Sequence, residues 1–441
     1  MKHIEALLDR LNQQDINLWV EEYKLRYRSP KGILTDSLKQ EIRDNKADLI
    51  AFLKMKQELT LAEQLPQVTP DLAAQYEPFP LSDIQQAYWI GRQSHIELGN
   101  LATQVYQEWQ LPDLDVARLS DAWQKVMAAH PMLRTVIQPN GQQRVLVEMP
   151  TYQISVLDLH QTETVQQRLA EIRQNMLGHI YQADEWPLFD IRVTRMPDGV
   201  FLHFCIDMIV VDAWSIELIL NEWAELYHHP EKELAPLELT FRDYMVTAKA
   251  YEESSTLYKA SKSYWLNRLD SLPSAPKLPL VQELRFIKVP QFQGIEKRLE
   301  APLWKAVKTK AAEHELQPSA LLLAVYAEVL TLWSTNPHFT LSQPSFHRLP
   351  LHPQVNQVIG DFTSVMLTEI NNRNETSFIQ RAKQIQTQLW QDLDHRYFSG
   401  VQVIRELSRH TRAGSMALMP VVFANLLAVK STSHIGWGKR V

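Results

Sequence analysis

The stretch His203–Ser215, HFCIDMIVVDAWS, ends an apolar run and sets two carboxylates five positions apart, Asp207 and Asp212. A carboxylate at the edge of a core can orient an amine, accept its proton, pair with a buried cation or cap a helix. An aspartate's reference pKa of about 3.9 makes it a poor proton donor near neutral pH unless its surroundings raise that value strongly. While ionised it also cannot stabilise an oxyanion. Phe201–Ile206 is β-branched and aromatic, which predicts a buried strand with Asp207 at its end. Asp212 opens DAWSIELILNEWAELY, where Trp214, Leu218 and Trp223 or Leu226 recur at helical spacing, so Asp212 reads as an N-cap. Strand alternation sets His203 and Cys205 on the face of Asp207, the residue types of a Cys–His couple or a Cys/His/Asp metal site. Residues two apart on a strand lie about 7 Å apart, which is loose for such a couple. Three local ligands without a second cluster also fall short of a zinc set, so packing in the core is the expected role of both. His347 and His352 flank a proline-containing turn and read as surface or packing residues.

The elements that must position these residues belong to an ordinary globular chain. Its 441 residues are 45% apolar and 22% charged, enough for roughly two to four folding units. A net charge of −6 gives no reason to expect nucleic-acid binding. The longest apolar run, ALLLAVYAEVLTLW at 320–333, is too short and interrupted to span a bilayer, and no membrane partner is expected. The N-terminus is an amphipathic helix without the continuous apolar core of a signal peptide. The single cysteine, Cys205, excludes an internal disulfide framework and fits a reducing compartment, so the expected location is the cytoplasm. No zinc spacing, phosphate-binding glycine loop or G-x-S-x-G elbow is present.

Residues 1–57 read as a separate unit with the order α-β-β-α-α. Ile4, Leu7, Leu8 and Leu11 form a helical stripe, INLWVEE and KLRYR alternate as a hairpin turning near Glu22–Tyr23, and Thr35 can cap the next helix. The unit holds 11 Lys/Arg against 9 Asp/Glu, a net +2, which leaves −8 for the remainder. Lys24, Arg26 and Arg28 fall at alternate positions of the second strand and so share a face. A short hairpin with an exposed edge and basic side chains suits the addition of an acidic peptide as an extra strand. Residues 58–78 carry prolines and little periodicity and read as a linker. From Phe79 helices and strands alternate irregularly, a mixed α/β (α+β) layout. The proline-rich LPSAPKLPL at 272–280 divides it into halves assigned to 79–285 and 286–441.

Several stretches resemble the heterocyclization (Cy) domains of nonribosomal peptide synthetases, a branch of the condensation superfamily. They are FPLSDIQQAYWIGR (79–92), AAHPMLRTVI (128–137, with Ala129 where arginine is usual) and DMIVVD (207–212), which is the branch's Asp-x4-Asp. LPSAPKLPL, HRLPLHPQVNQVIGDFTSVML (347–367) and LWQDLDHRYFSGVQVIREL (389–407) follow in the family's order. The N-terminal unit is similar to docking domains of mixed polyketide/peptide assembly lines, with LWVEEYKLRYRSPKG matching the part that takes an upstream subunit's C-terminal tail. On that match Lys24, Arg26, Tyr27 and Arg28 are the docking residues.

The resemblance implies two chloramphenicol-acetyltransferase-like lobes around a tunnel. Carrier proteins, upstream and downstream, would dock at its mouths and present substrates on phosphopantetheine arms, with no cofactor or metal bound by the domain itself. The acceptor amine of cysteine, serine or threonine attacks an acyl thioester. Its side chain then closes a ring that loses water to give a thiazoline or oxazoline. Within that frame Asp207 is expected to face the tunnel and position the amine, with proton transfer as the sharper option. Asp212 is expected to serve structure through its cap and an ion pair with Arg348 of HRLP, the partner the resemblance implies.

The sequence also departs from the family. The family's late motif reads Pro-Val-Val-Phe-Thr-Ser with a threonine implicated in cyclodehydration, whereas this chain reads PVVFANLLA, with Ala424 at that position. Alanine has no hydroxyl and cannot relay a proton. The family continues through a glutamine and a catalytic aspartate, while this sequence ends at Val441. The expectation is therefore a second lobe lacking its final strands and leaving the edge at 420–424 uncovered. Two rivals follow: a remnant that docks and perhaps condenses without closing a ring, and an ordinary condensation enzyme, against which the missing His-His-x3-Asp argues.

Overall fold

The computed structural model describes residues 65–93, 103–160, 164–287, 293–374, 376–411 and 418–427, with 99, 101, 437, 439 and 440. In the N-terminal unit it describes 4, 7, 8, 10, 11, 16–21, 24–30, 34–46, 48–50, 52 and 53.

That unit is held by its apolar spacing. Ile4, Leu7, Leu8 and Leu11 are buried with Ile16, Leu18 and Leu49. Strands β1 (Asn17–Glu21) and β2 (Lys24–Arg28) pair antiparallel, Asn17 opposite Arg28 and Glu21 opposite Lys24. The turn expected at Glu22–Tyr23 lies outside the described residues. Thr35 caps α1 (Asp36–Asp44), its hydroxyl accepting from the Leu38 N–H at 3.3 Å. Of the expected linker, 58–64 lies outside the described residues, and the rest is anchored at a few points. Leu65 and Val68 are buried, and the Val68 N–H donates to the Leu351 carbonyl at 2.9 Å. Two apolar side chains three residues apart were enough to seat the segment against a core.

The first lobe has two sheets. The smaller combines β3 (Phe79–Pro80), β5 (Thr135–Ile137) and β6 (Gln142–Val145) in the order β3-β6-β5, and α2 (Asp83–Gly91) follows β3 directly. The larger joins β4 (Gln104–Leu111), β7 (Ser155–Asp158), β8 (Phe189–Met196), β9 (Gly199–Asp207) and β12 (Lys439–Arg440) in the order β12-β4-β9-β8-β7. Only the β7–β8 pair is parallel. Helices α3 (Val116–Ala129), α4 (Val165–Leu177) and α5 (Ala213–His228) pack on this sheet and share its core, built around Trp123, Phe189, Phe204 and Trp223. Helices α6 (Phe241–Ser254) and α7 (Thr256–Leu266) lead toward the second lobe.

In the second lobe, α8 (Ala301–Glu313), α9 (Pro318–Trp333) and α10 (Phe378–Asp394) cover β10 (His338–Phe346) and β11 (Thr363–Asn371), which pair antiparallel along nine residues each. Helix α11 (Gly400–Thr411) packs on β11 from another side. Of the expected 420–424 strand, the described residues show a single parallel bridge, Val422 beside Ser342. Among the described residues no single helix is long and apolar enough to cross a membrane. Helices α8 and α9 reach that composition only together, across a 97° bend, and α9 spends Ala320, Leu323, Ala324, Ala327 and Leu330 on the lobe's core.

The lobes exchange segments across the boundary expected at residue 286. Leu349, Leu351, Val355, Val358, Ile359 and Phe362 leave the second lobe and join the first lobe's core. Trp437 is buried against Trp223 and Tyr227, and β12 extends the first lobe's sheet beside β4. A linear division of the sequence misses this because each crossing is a short apolar insert rather than a whole element.

Candidate active site

The signature aspartates sit where the sequence puts them, at the end of β9 and the start of α5. The Asp212 carboxylate accepts from the Ser215 N–H at 2.7 Å and so caps α5. Both its oxygens also meet the Arg348 guanidinium, at 3.0 and 3.1 Å, and the Phe362 N–H donates to it at 3.3 Å. Arg348 is itself over-determined. It donates to the Val355 and Val358 carbonyls at 3.0 and 2.8 Å and to the Ser215 hydroxyl at 2.9 Å, and it lies over the Phe362 ring at 3.9 Å. Burial pulls the guanidinium below its ordinary value, with Asp212 opposing. The backbone closes in at Gly360, whose carbonyl accepts from the Asp212 N–H at 3.0 Å. A Cβ there would stand 2.3 Å from the Phe241 ring, so no larger residue fits without a shift.

Asp207 differs from expectation. It is fully buried, and both carboxylate oxygens are taken by Arg92 at the end of α2, at 2.6 and 2.5 Å. The Ile209 N–H adds a third bond at 2.9 Å, and Arg92 also donates to the Tyr181 carbonyl at 2.9 Å. Burial pushes the Asp207 carboxyl up, and the guanidinium and the Ile209 N–H pull against it. The sequence expectation has this carboxylate facing the tunnel; here each of its oxygens is engaged by the protein. The opening motif explains the enclosure. Ser82 and Gln85 form a reciprocal capping box, and the Gln85 amide then donates to the Ile209 carbonyl at 2.6 Å, pinning the turn after Asp207.

His203 and Cys205 are core residues on the α4 side of the sheet. The His203 ring meets the Tyr106 hydroxyl at 2.7 Å, Thr194 at 3.0 Å and Glu108 at 3.1 Å. Burial works to raise Glu108, but the bonds from Arg173, His203 and Tyr106 outweigh it and hold the carboxylate at about 2. Cys205 is fully buried, and burial pushes its thiol up to about 12, too high for a nucleophile.

The open space lies one layer away. A cavity of about 100 Å³, partly open to solvent, lies between the lobes. Asp83 from α2, Tyr244 and Lys249 from α6, and His347, Asp361 and Arg396 contribute to its wall. Neither Asp207 nor Asp212 does. Asp361 is fully buried, with one oxygen accepting from the Thr363 N–H at 3.0 Å and the other, Oδ2, without a partner. Burial, then the charge of Asp212, pushes its carboxyl well above the usual range. His347, expected at the surface or in packing, belongs to this wall. Its carbonyl accepts from Tyr244 and its N–H donates to the Phe362 carbonyl, each at 3.0 Å. Sequence offered one signal for it, adjacency to Arg348. Ala424 is exposed and does not line the cavity. On β2, Tyr27 is exposed, and the side chains of Lys24, Arg26 and Arg28 lie outside what is described.

A two-lobed α/β chain with a cavity at the lobe junction and a sealed Asp-x4-Asp is a condensation-type fold, and the comparisons agree. Residues 75–433 match the family model described as a condensation domain, and residues 4–54 match the TubC N-terminal docking domain. The chain belongs to the condensation-domain family, with a docking domain of the TubC type before it. It is similar to pyochelin synthetase PchF of Pseudomonas aeruginosa, 37% identical over 95% of this chain but 23% of that protein. It is also similar to phenyloxazoline synthase MbtB of Mycobacterium tuberculosis, 32% identical over 81% of this chain and 25% of that protein. The chain thus spans about a quarter of the length of these relatives. Among solved structures, the EpoB cyclization-docking bidomain of Sorangium cellulosum superposes with a TM-score of 0.80 at 34% identity, over 99% of this chain and 88% of that one.

Proposed function

We propose that this chain is the docking and condensation/heterocyclization unit of a nonribosomal peptide synthetase. It would join an upstream carrier-bound acyl or peptidyl thioester to cysteine, serine or threonine held on its own carrier. The observation that carries this reading is the cavity between the lobes, walled by residues of both. Similarity to a cyclization-docking bidomain along nearly the whole chain supports the same reading. Amide formation needs the amine and the thioester held in attacking geometry, and a cavity walled by both packed lobes can hold them so. The Asp212–Arg348 pair and the Asp207–Arg92 pair would serve by fixing the walls rather than by touching the substrate. Phosphopantetheine arms arrive as parts of the substrates, and the domain holds no cofactor of its own in this reading. The N-terminal unit would take the acidic C-terminal tail of an upstream subunit against β2, and the assembly would work in the cytoplasm.

Ala424 favours a second reading, amide formation without the ring, because the family's threonine hydroxyl is absent there. One assay separates the two. The chain is given an acyl-loaded donor carrier and a Cys-, Ser- or Thr-loaded acceptor carrier, and the products are weighed. Amide minus one water supports heterocyclization, amide alone supports the second reading, and no transfer to any of the three acceptors refutes both.

A further inference from the structure

The cavity wall holds a group that no structural need explains. The His347 backbone is clamped at both ends, by the Tyr244 hydroxyl on its carbonyl and by the Phe362 carbonyl on its N–H. Neither ring nitrogen has a hydrogen-bond partner among the described residues, and neither is among the sealed, unpartnered polar atoms, so the imidazole keeps open surface. Its one ring neighbour is Tyr397, edge-on at 5.8 Å. The histidines used for structure look different: His203 meets three partners, and His130 is paired with Glu222. A half-buried imidazole held rigidly by its backbone, with both nitrogens unpartnered among the described residues and on the wall of the inter-lobe cavity, is arranged to exchange a proton with something that enters.

Resting on the condensation reading above, we propose that His347 is the base of the amide-forming step. Its free ring nitrogen takes the proton from the acceptor's amine nitrogen as that nitrogen bonds to the thioester carbonyl carbon. It returns that proton to the phosphopantetheine sulfur as the carbon–sulfur bond breaks. One C–N bond forms, one C–S bond is lost, one proton moves from nitrogen to sulfur, and the histidine ends as it began.

The surroundings suit a relay. Burial, and then the neighbouring Arg396 guanidinium, lower the imidazole to about 4, so it stands neutral and able to accept at neutral pH. The same pair makes the imidazolium short-lived, and a departing thiolate, with a thiol pKa of about 8.5 in water, is a ready taker. Arg396 donates to the Leu393 carbonyl at 3.1 Å and lies over the Tyr397 ring, with no carboxylate partner among the described residues.

The test uses the full chain in a single-turnover assay with loaded donor and acceptor carriers, reading amide by mass. His347→Ala should lower the rate by about 100-fold, the scale of a positioned base, while the melting temperature stays at the wild-type value. His347→Gln, which keeps hydrogen bonding but cannot take the proton, should be equally slow. Added imidazoles should restore the Ala variant, faster with the more basic ones, a response that a merely structural histidine would not give. Wild-type rates in the folded Ala or Gln variant would overturn the assignment while leaving the condensation reading intact. No amide from the wild-type chain would overturn both.

Discussion

The signature segment 203–215 and the cavity wall around His347 lie a few residues apart in space and follow opposite rules. In the segment every carboxylate oxygen is answered: Asp207 by Arg92 and the Ile209 N–H, Asp212 by Arg348, Ser215 and Phe362. On the wall, Asp361 has an oxygen without a partner and His347 has two free nitrogens. Groups whose bonding is complete hold shape, and groups whose bonding is incomplete are open to a ligand. In this geometry the motif that identifies the family frames the cavity, and the proposed chemistry stands on residues that the frame carries.

Breaking the frame should have the largest effect. Asp212→Ala leaves the buried Arg348 without a counter-charge, its remaining acceptors being the Val355 and Val358 carbonyls and the Ser215 hydroxyl, and also uncaps α5. Removing one partner of such a pair costs about 3–5 kcal/mol, with about 1 more for the cap, so soluble protein should be lost and denaturant unfolding should shift accordingly. Asp207→Ala strands Arg92 in the same way, and the expected loss is about 3 kcal/mol. Asp207→Asn, which keeps an acceptor for the Ile209 N–H, should lose less. A normally stable Asp207→Ala that transfers slowly would move Asp207 from the frame to the wall and erase the contrast.

Much of the frame was legible in sequence because its causes are local. The Asp212 cap, the β9 and α5 spans and the helix after Thr35 follow from residue types within one turn of chain. Helix α6 was readable too, since Thr240 and Asp243 make a capping box at its start, although its weak apolar stripe hid it. Partners far apart in sequence were not legible. Arg348 lies 136 positions from Asp212 and came only through the family resemblance, and Arg92, 115 positions from Asp207, was missed. His347 was missed because its orientation depends on Tyr244, 103 positions away, and on the fold-back at Phe362.

The wall should respond to pH where the frame does not. Asp361 has its carboxyl raised by burial and by Asp212, so the folded state binds its proton more tightly than the unfolded chain. Stability from this residue is then complete below the unfolded value near 4 and falls as pH rises toward the folded one. Asp361→Asn keeps an acceptor for the Thr363 N–H and cannot ionise. It should be more stable than wild type by about 1 kcal/mol at pH 8, the scale of one buried hydrogen-bonded group, and equal to it at pH 4. Thermal melts across that range check the sign. A variant less stable at pH 8 would mean that Asp361 is ionised and bonded as the frame residues are.

The smallest effect on the fold belongs to a third region, the basic strand β2 of the N-terminal hairpin. Lys24 and Arg26 are two apart on β2, opposite Glu21 and Trp19, and alternate positions of a strand share a face. Single charges on a short two-stranded hairpin contribute little to stability, and reversing both should leave the melting temperature within about a degree. Their effect is on encounter. An acidic tail approaching a basic strand is steered over a Debye length of about 8 Å at physiological salt, and rim charges change association rate more than dissociation. Lys24→Glu with Arg26→Glu should therefore slow association with an acidic upstream tail by about tenfold or more and flatten its dependence on salt, with dissociation little changed. Surface plasmon resonance over a salt series reads both constants. If association is unaltered while dissociation quickens, the two side chains make close bonded contacts with the tail, and this edge works by completed bonds, as the frame does.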